Sequence, residues 1–157
     1  MDRNLRGFTV IELLMVVAII SLLVAVALTS TGIARDKAND AGIKQQISNM
    51  RPAAELYYST NGSYREICNP AHITGKMFIA AVRFAGPGAS AAYCLSDISE
   101  YYYLDSNGNI VVGPKAAMPS RWAASVELRQ GGYFCADYRG TAKVTSTMTI
   151  SPTDVDC

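Results

Sequence analysis

The sequence predicts an α+β protein in which a long N-terminal helix, half of it transmembrane, packs on a small antiparallel β-sheet head. Three observations carry that prediction. From Phe8 to Leu28 runs an apolar stretch of about 21 residues, long enough to cross a bilayer core as a helix, and it holds a single carboxylate, Glu12. Beyond it Ile43, Ile47, Met50, Ala54 and Tyr57 recur at spacings of four and three, the period of one helical face. After Ser63 the chain turns to short β-branched and aromatic segments punctuated by Gly, Asn and Asp, and its four cysteines all lie in that part.

The apolar run comes first in the chain and sets the class. A secretory signal would have an apolar core of roughly 7–15 residues with a small-residue cleavage site after it. Here the run is longer, and the only plausible cut precedes it. Glu12 is the anomaly, because a charged side chain at mid-membrane costs roughly 2.5–3.5 kcal/mol and is therefore a functional candidate. Arg3 and Arg6 make the near flank basic, which keeps the N-terminus cytoplasmic and places the cysteines outside, although Arg35-Asp36-Lys37 on the far flank is mixed in sign.

The segment Gly7-Phe8-Thr9-Val10-Ile11-Glu12-Leu13-Leu14-Met15-Val16-Val17 resembles the N-terminal signature of type IV pilins and pseudopilins. In that family a short basic leader ends in Gly and an inner-membrane peptidase cuts after it. The same enzyme methylates the new N-terminus, usually Phe, and the fifth residue after the cut is Glu. The resemblance implies a leader of residues 1–7 removed between Gly7 and Phe8, N-methylation of Phe8, and an assembly role for Phe8 and Glu12. It implies the pilin fold, with residues 8–30 as transmembrane and filament-core helix, 31–62 as its amphipathic continuation and 63–157 as the head.

It also implies a life history. The subunit waits in the inner membrane with lipid as its first partner, is processed by the prepilin peptidase/methyltransferase, and meets the pilus assembly machinery. It then polymerises with copies of itself into an extracellular filament for adhesion, motility or DNA uptake, with surface or DNA contacts made by the fibre. The alternative in the same family is a minor pilin or a pseudopilin of a type II secretion or competence system. A looser resemblance continues through Tyr57-Tyr58-Ser59-Thr60-Asn61-Gly62-Ser63-Tyr64.

The helix should continue past Leu28. From Phe8 to about Tyr58 it would span about 75 Å at 1.5 Å per residue. Arg35, Lys37, Asp40, Lys44 and Arg51 are expected largely off the apolar stripe. Two places should weaken it. Thr29-Ser30-Thr31-Gly32 is a poor helix segment, and it falls where many pilins carry a Pro and this chain has Thr29. Pro52 should kink or break the helix, since it lacks an N–H and clashes with the preceding turn. Asn61-Gly62 is the stop signal.

In the head, Tyr101–Leu104 and Ile110–Val112 flank Asp105-Ser106-Asn107-Gly108-Asn109 as a hairpin. Trp122–Leu128, then Tyr133-Phe134-Cys135, then Lys143–Ile150 read as further strands, joined at Gly131-Gly132 and Arg139-Gly140. Together they suggest one antiparallel meander lying on the helix stripe. The Gly/Ala/Ser-rich stretch between Cys68 and Cys94 shows no clear period and reads as a variable loop with one short helix at most.

Cys68, Cys94, Cys135 and Cys157 read as two disulfides in an exported domain, and sequence leaves three connectivities open. Local loop closure favours Cys68–Cys94 with Cys135–Cys157. The second bond would staple the C-terminus to a strand, an arrangement common in pilin heads. Zinc is disfavoured, with no Cys-x-x-Cys pair and His72 the only histidine.

The remaining motifs have ordinary explanations. Asp105-x-Asn107-x-Asn109 starts like a calcium loop but lacks the Gly and distal Glu, so a turn explains it better. Tyr101-Tyr102-Tyr103 alternates like a strand with Tyr102 on one face. Arg121, Arg129 and Arg139 read as a solvated face, because Lys+Arg at 14 against Asp+Glu at 13 leave no basic field for nucleic acid. His72 has no nucleophile or carboxylate at a suggestive spacing. No nucleophile elbow, phosphate loop or HExxH is present, so no enzyme activity, metal or cofactor is expected.

Overall fold

The first element of the computed structural model is helix α1, Val10–Asn61. The structure describes residues 7–96, 101–105, 107–113, 121–151 and 154–157, with Thr29 and Ser30 as backbone only. Of the expected leader only Gly7 is among them; Arg3 and Arg6 lie outside the described residues. Helix α1 runs unbroken through Thr31 and Gly32. The Thr31 hydroxyl donates to the Leu28 carbonyl at 2.8 Å, so it rejoins the helix backbone instead of opening it.

Pro52, expected to kink or break the helix, does not end it: the helix continues for nine residues beyond it. Pro52 and Ser48, the residue whose carbonyl loses its partner, both lie on the exposed side, so that carbonyl is not left in an apolar core. The stop at Asn61 is local. Its Nδ2 donates to the Tyr57 carbonyl at 2.9 Å, and Gly62, at φ 69°, donates its N–H to the Tyr58 carbonyl at 2.7 Å.

The chain falls into two compact units divided between Arg35 and Asp36. The first holds the N-terminal part of α1. The second holds the rest of α1 together with α2 (Ile73–Ala85) and six strands: β1 (Ala92–Leu95), β2 (Tyr102–Leu104), β3 (Ile110–Val112), β4 (Ala123–Glu127), β5 (Tyr133–Asp137) and β6 (Ala142–Thr145). The fold is α+β, a long apolar N-terminal helix and a six-stranded antiparallel sheet.

The sheet corrects the single meander. Its order is β3-β2-β1-β4-β5-β6, so two three-stranded meanders meet at a central β1–β4 pair, with Tyr93 opposite Ser125 and Cys94 opposite Ala124. Strand β6 also stops at Thr145, short of the expected Ile150. The Thr145 hydroxyl donates to the Thr147 carbonyl at 2.8 Å and turns the chain away.

Strand alternation divides the head into two cores. Ala92, Cys94, Tyr102, Leu104, Ala124, Val126, Phe134 and Ala136 face one way, onto Ile43, Ile47, Met50 and Ala54 of α1 and Phe78, Ala81 and Val82 of α2. Leu95, Ala123 and Cys135 face the other way, onto Ile150 and Val155 of the C-terminal segment. Each fully buried Ile or Phe contributes about 1.5–3 kcal/mol relative to exposure.

Helix α2 is the one short helix allowed for in the stretch between Cys68 and Cys94. Its buried residues Thr74, Gly75, Phe78, Ala81, Val82 and Ala85 lie on one face, but small residues give that face a weak sequence signal. They allow close packing: a Cβ on Gly75 would stand 2.1 Å from the Asn69 carbonyl oxygen. The Thr74 hydroxyl donates to the Ile67 carbonyl from the same face.

Candidate functional site

The start of α1 is a reciprocal cap. Thr9 stands just before the first helical residue, and Glu12 is three residues on. The Thr9 N–H donates to Glu12 Oε2 at 2.9 Å and the Thr9 hydroxyl donates to the same oxygen at 2.8 Å. The Glu12 N–H in turn donates to Thr9 Oγ1 at 3.3 Å. This is a capping box, in which two otherwise orphaned backbone donors are satisfied and the negative charge sits at the positive end of the helix dipole. It places the carboxylate beside the peptide that follows Phe8. The Thr9-x-x-Glu12 spacing is readable in sequence, so Thr9 is a site residue the sequence reading passed over.

Around this cap the helix surface is apolar on every side. Phe8 is 86% exposed and Leu28 is 68% exposed, with Val10, Ile11, Leu13, Leu14, Val16 and Ile19 also exposed between them. Among the described residues one helix, α1, is long and apolar enough to cross a membrane. Such a surface in water costs far more than the cap returns, so it requires lipid or other apolar helices around it.

The head holds its shape through buried polar and covalent ties. Cys68 is bonded to Cys94 and Cys135 to Cys157, each with Cα atoms 5.7 Å apart. Asp137, fully buried, accepts the Arg139 N–H at 3.0 Å, the Thr141 N–H at 2.9 Å and the Cys157 N–H at 3.1 Å, fixing both the β5–β6 turn and the C-terminus. Asp40 was expected off the stripe and is instead on it. It is 4% exposed and its carboxylate accepts the Arg129 N–H at 2.7 Å and the Gln130 N–H at 3.2 Å. Three residues before Ile43, it continues the same helical face, and its charge is what hid it.

The secondary motifs find structural roles. Asp105 spends its carboxylate on the hairpin turn, accepting the Asn107 N–H at 2.9 Å and the Asn109 N–H at 2.8 Å, and these backbone donors hold its pKa below the usual value. No group of His, Cys, Asp and Glu able to hold a metal occurs among the described residues. His72 precedes α2, 3.3 Å from Glu66.

The three arginines do not form one patch. Arg129 reaches the Phe84 carbonyl at 2.8 Å and Asp36 at 3.4 Å. Arg121 and Arg139 lie 5.6 and 5.4 Å from the Tyr138 ring centre, and the Tyr138 hydroxyl and Asp156 raise the pKa of Arg139. Tyr102 is buried, while Tyr101 and Tyr103 meet Tyr93 on the opposite sheet face at 6.4 and 6.0 Å between ring centres. Two open hollows, about 340 and 570 Å³, flank Pro87, and neither joins a nucleophile to a base.

Residues 2–28 match the family model described as the prokaryotic N-terminal methylation motif, a span that contains Gly7, Phe8, Thr9 and Glu12. The chain is also similar to a protein of Thermus thermophilus named type IV wide pilus major component PilA4. The two are 38% identical over 97 residues, which is 59% of this chain and 72% of that protein. No solved structure matches the chain significantly.

Proposed function

We propose that this chain, which belongs to the type IV pilin family, is a structural subunit that is cut after Gly7, N-methylated at Phe8 and polymerised through α1 into an extracellular filament. The observation that carries the proposal is an apolar helix surface exposed on all sides, with one carboxylate in its first turn. Residues 1–7 are the leader, 8–30 the membrane and filament-core helix, 31–62 its continuation and 63–157 the outward head. The description of the Thermus relative as a major component favours the main subunit over a minor pilin or pseudopilin.

Before assembly the subunit is held in the inner membrane with Phe8 near the cytoplasmic face. Cleavage creates an ammonium at Phe8. In the fibre that ammonium pairs with Glu12 of a neighbouring copy, so two charges that are costly in an apolar medium neutralise each other and set the register. Thr9 holds the Glu12 carboxylate at the helix start, ready for that partner. Outside the cell, packing Val10, Ile11, Leu13, Leu14, Val16 and Ile19 against neighbouring copies keeps them from water, where each would cost about 1.5–3 kcal/mol by exposure. The heads determine what the fibre touches in adhesion, motility or DNA uptake.

Glu12→Val tests the pairing. The variant should partition into membranes like the wild type, since it removes a charge from the apolar run, yet yield little sheared filament. Normal filament yield from it would overturn the pairing. Gly7→Leu should leave full-length, unmethylated chain in the membrane.

A further inference from the structure

Tyrosine rings meet one another on the sheet and again at the C-terminal end of α1. On the sheet Tyr93, Tyr101 and Tyr103 lie 5.5–6.4 Å apart between ring centres. At the helix end a phenol also meets a carboxylate. Gly62, at φ 69°, turns the chain, and Tyr64 returns onto the last turns of α1. Its ring centre is 4.6 Å from that of Tyr58, with 31° between the planes. Its hydroxyl donates to Glu55 Oε1 at 2.9 Å. Glu55 and Tyr58 are three residues apart and so are neighbours on the helix surface, which lets one side chain meet both.

The two rings differ in a way that matters for oxidation. Tyr58 is 37% exposed and open to an oxidant in solution, whereas Tyr64 is 6% exposed. Burial and the Glu55 bond push the Tyr64 pKa up to about 12, so at neutral pH that phenol keeps its proton. A phenol that loses an electron must also shed its proton, and Glu55 is a base already in place to take it.

We propose that Tyr58, Tyr64 and Glu55 form an oxidative cross-linking site at which the two rings couple into a dityrosine within one chain. The oxidant is hydrogen peroxide acting through a haem peroxidase. It removes an electron from Tyr58, whose proton goes to water. Tyr64 refills that ring with an electron and passes its own proton to Glu55, which releases it to solvent. A second oxidation then converts Tyr58 again. The two radicals join through ring carbons ortho to the oxygens, and the hydrogens on those carbons move to the oxygens to restore both phenols. Two electrons and two protons leave the chain and reduce one peroxide to two waters. The new bond ties the last turn of α1 to the segment beyond Gly62, a third covalent tie beside the two disulfides. The reaction needs no assembled fibre, so it stands apart from the filament reading.

The test treats the full-length, disulfide-intact chain, dilute in detergent micelles, with a haem peroxidase and hydrogen peroxide under conditions that couple free tyrosine. Dityrosine fluorescence follows the reaction, and intact mass with peptide mapping locates the bond. The expected product is a monomer lacking two hydrogens, with the loss confined to the peptide that holds residues 58 and 64. Tyr58→Phe keeps the ring and its packing and should abolish that product. In Glu55→Gln the side chain can still accept the Tyr64 hydrogen bond but cannot take the proton. Coupling should slow roughly tenfold, less than a fully buried base would give, because Glu55 is exposed and water replaces it in part. Absence of dityrosine, coupling only between molecules or only among Tyr93, Tyr101 and Tyr103, an unchanged product in Tyr58→Phe, or an unchanged rate in Glu55→Gln would each overturn the proposal.

Discussion

Replacing Asp40 with Ala removes a carboxylate that is 4% exposed and accepts two backbone N–H groups, from Arg129 at 2.7 Å and Gln130 at 3.2 Å. Hydrogen bonds to a charged acceptor contribute about 1.5–3 kcal/mol each. Arg129 and Gln130 are themselves exposed, so water recovers part of the loss, and the expected destabilisation is about 2–3 kcal/mol. Asp40→Asn keeps one acceptor oxygen but turns an NH2 toward the second donor, and should cost about 1–2 kcal/mol. Urea unfolding of the full chain in detergent micelles, followed by the fluorescence of Trp122, the only tryptophan and fully buried, measures both. The midpoint should fall with the slope unchanged. A loss below about 0.5 kcal/mol for Asp40→Ala would refute the assignment of this carboxylate as the tie between α1 and the β4–β5 turn.

Gly75→Ala should destabilise the head by about 1–3 kcal/mol in the same assay, because its Cβ would meet the Asn69 carbonyl oxygen at 2.1 Å. The paired replacement Cys135→Ser with Cys157→Ser opens a loop of 22-residue separation and should cost about 3 kcal/mol, with faster proteolysis of the C-terminal segment. Tyr64 is pushed up to about 12 by burial and by its hydrogen bond to Glu55 at 2.9 Å, so the folded state favours the protonated phenol. Its contribution to stability is complete below the ordinary value of 10.0 and is lost as pH rises through about 12. Ultraviolet titration should place the Tyr64 phenol late and show it moving earlier in Glu55→Gln.

Elements whose sequence carries strong local chemistry were legible. The apolar run, the Asn61-Gly62 stop and the Asp105–Asn109 hairpin turn all depend on contacts between near neighbours, and pattern alone reveals those. The bounds of helix α2 and the existence of strand β1 were not, because Ala, Gly and Ser bury as well as larger residues in tight packing yet give no hydrophobic period. The β1–β4 pairing joins segments about 30 residues apart in sequence, and nothing local encodes it. Asp40 shows the same limit for the site. A charge on an apolar stripe reads as a boundary until the partner turn at Arg129 is in place. At the helix start the opposite holds: Glu12 was evident as an anomaly, but its bond to Thr9 needed the geometry.

The central claim is that the chain becomes a fibre subunit by processing at Gly7-Phe8. Intact mass and N-terminal peptide mapping of unreduced protein sheared from cell surfaces test it most directly. The account predicts an abundant species that begins at N-methylated Phe8 and carries both disulfides, whereas a scarce but processed chain would point to a minor subunit. A chain found only in membranes and still uncut at Gly7 would contradict the account.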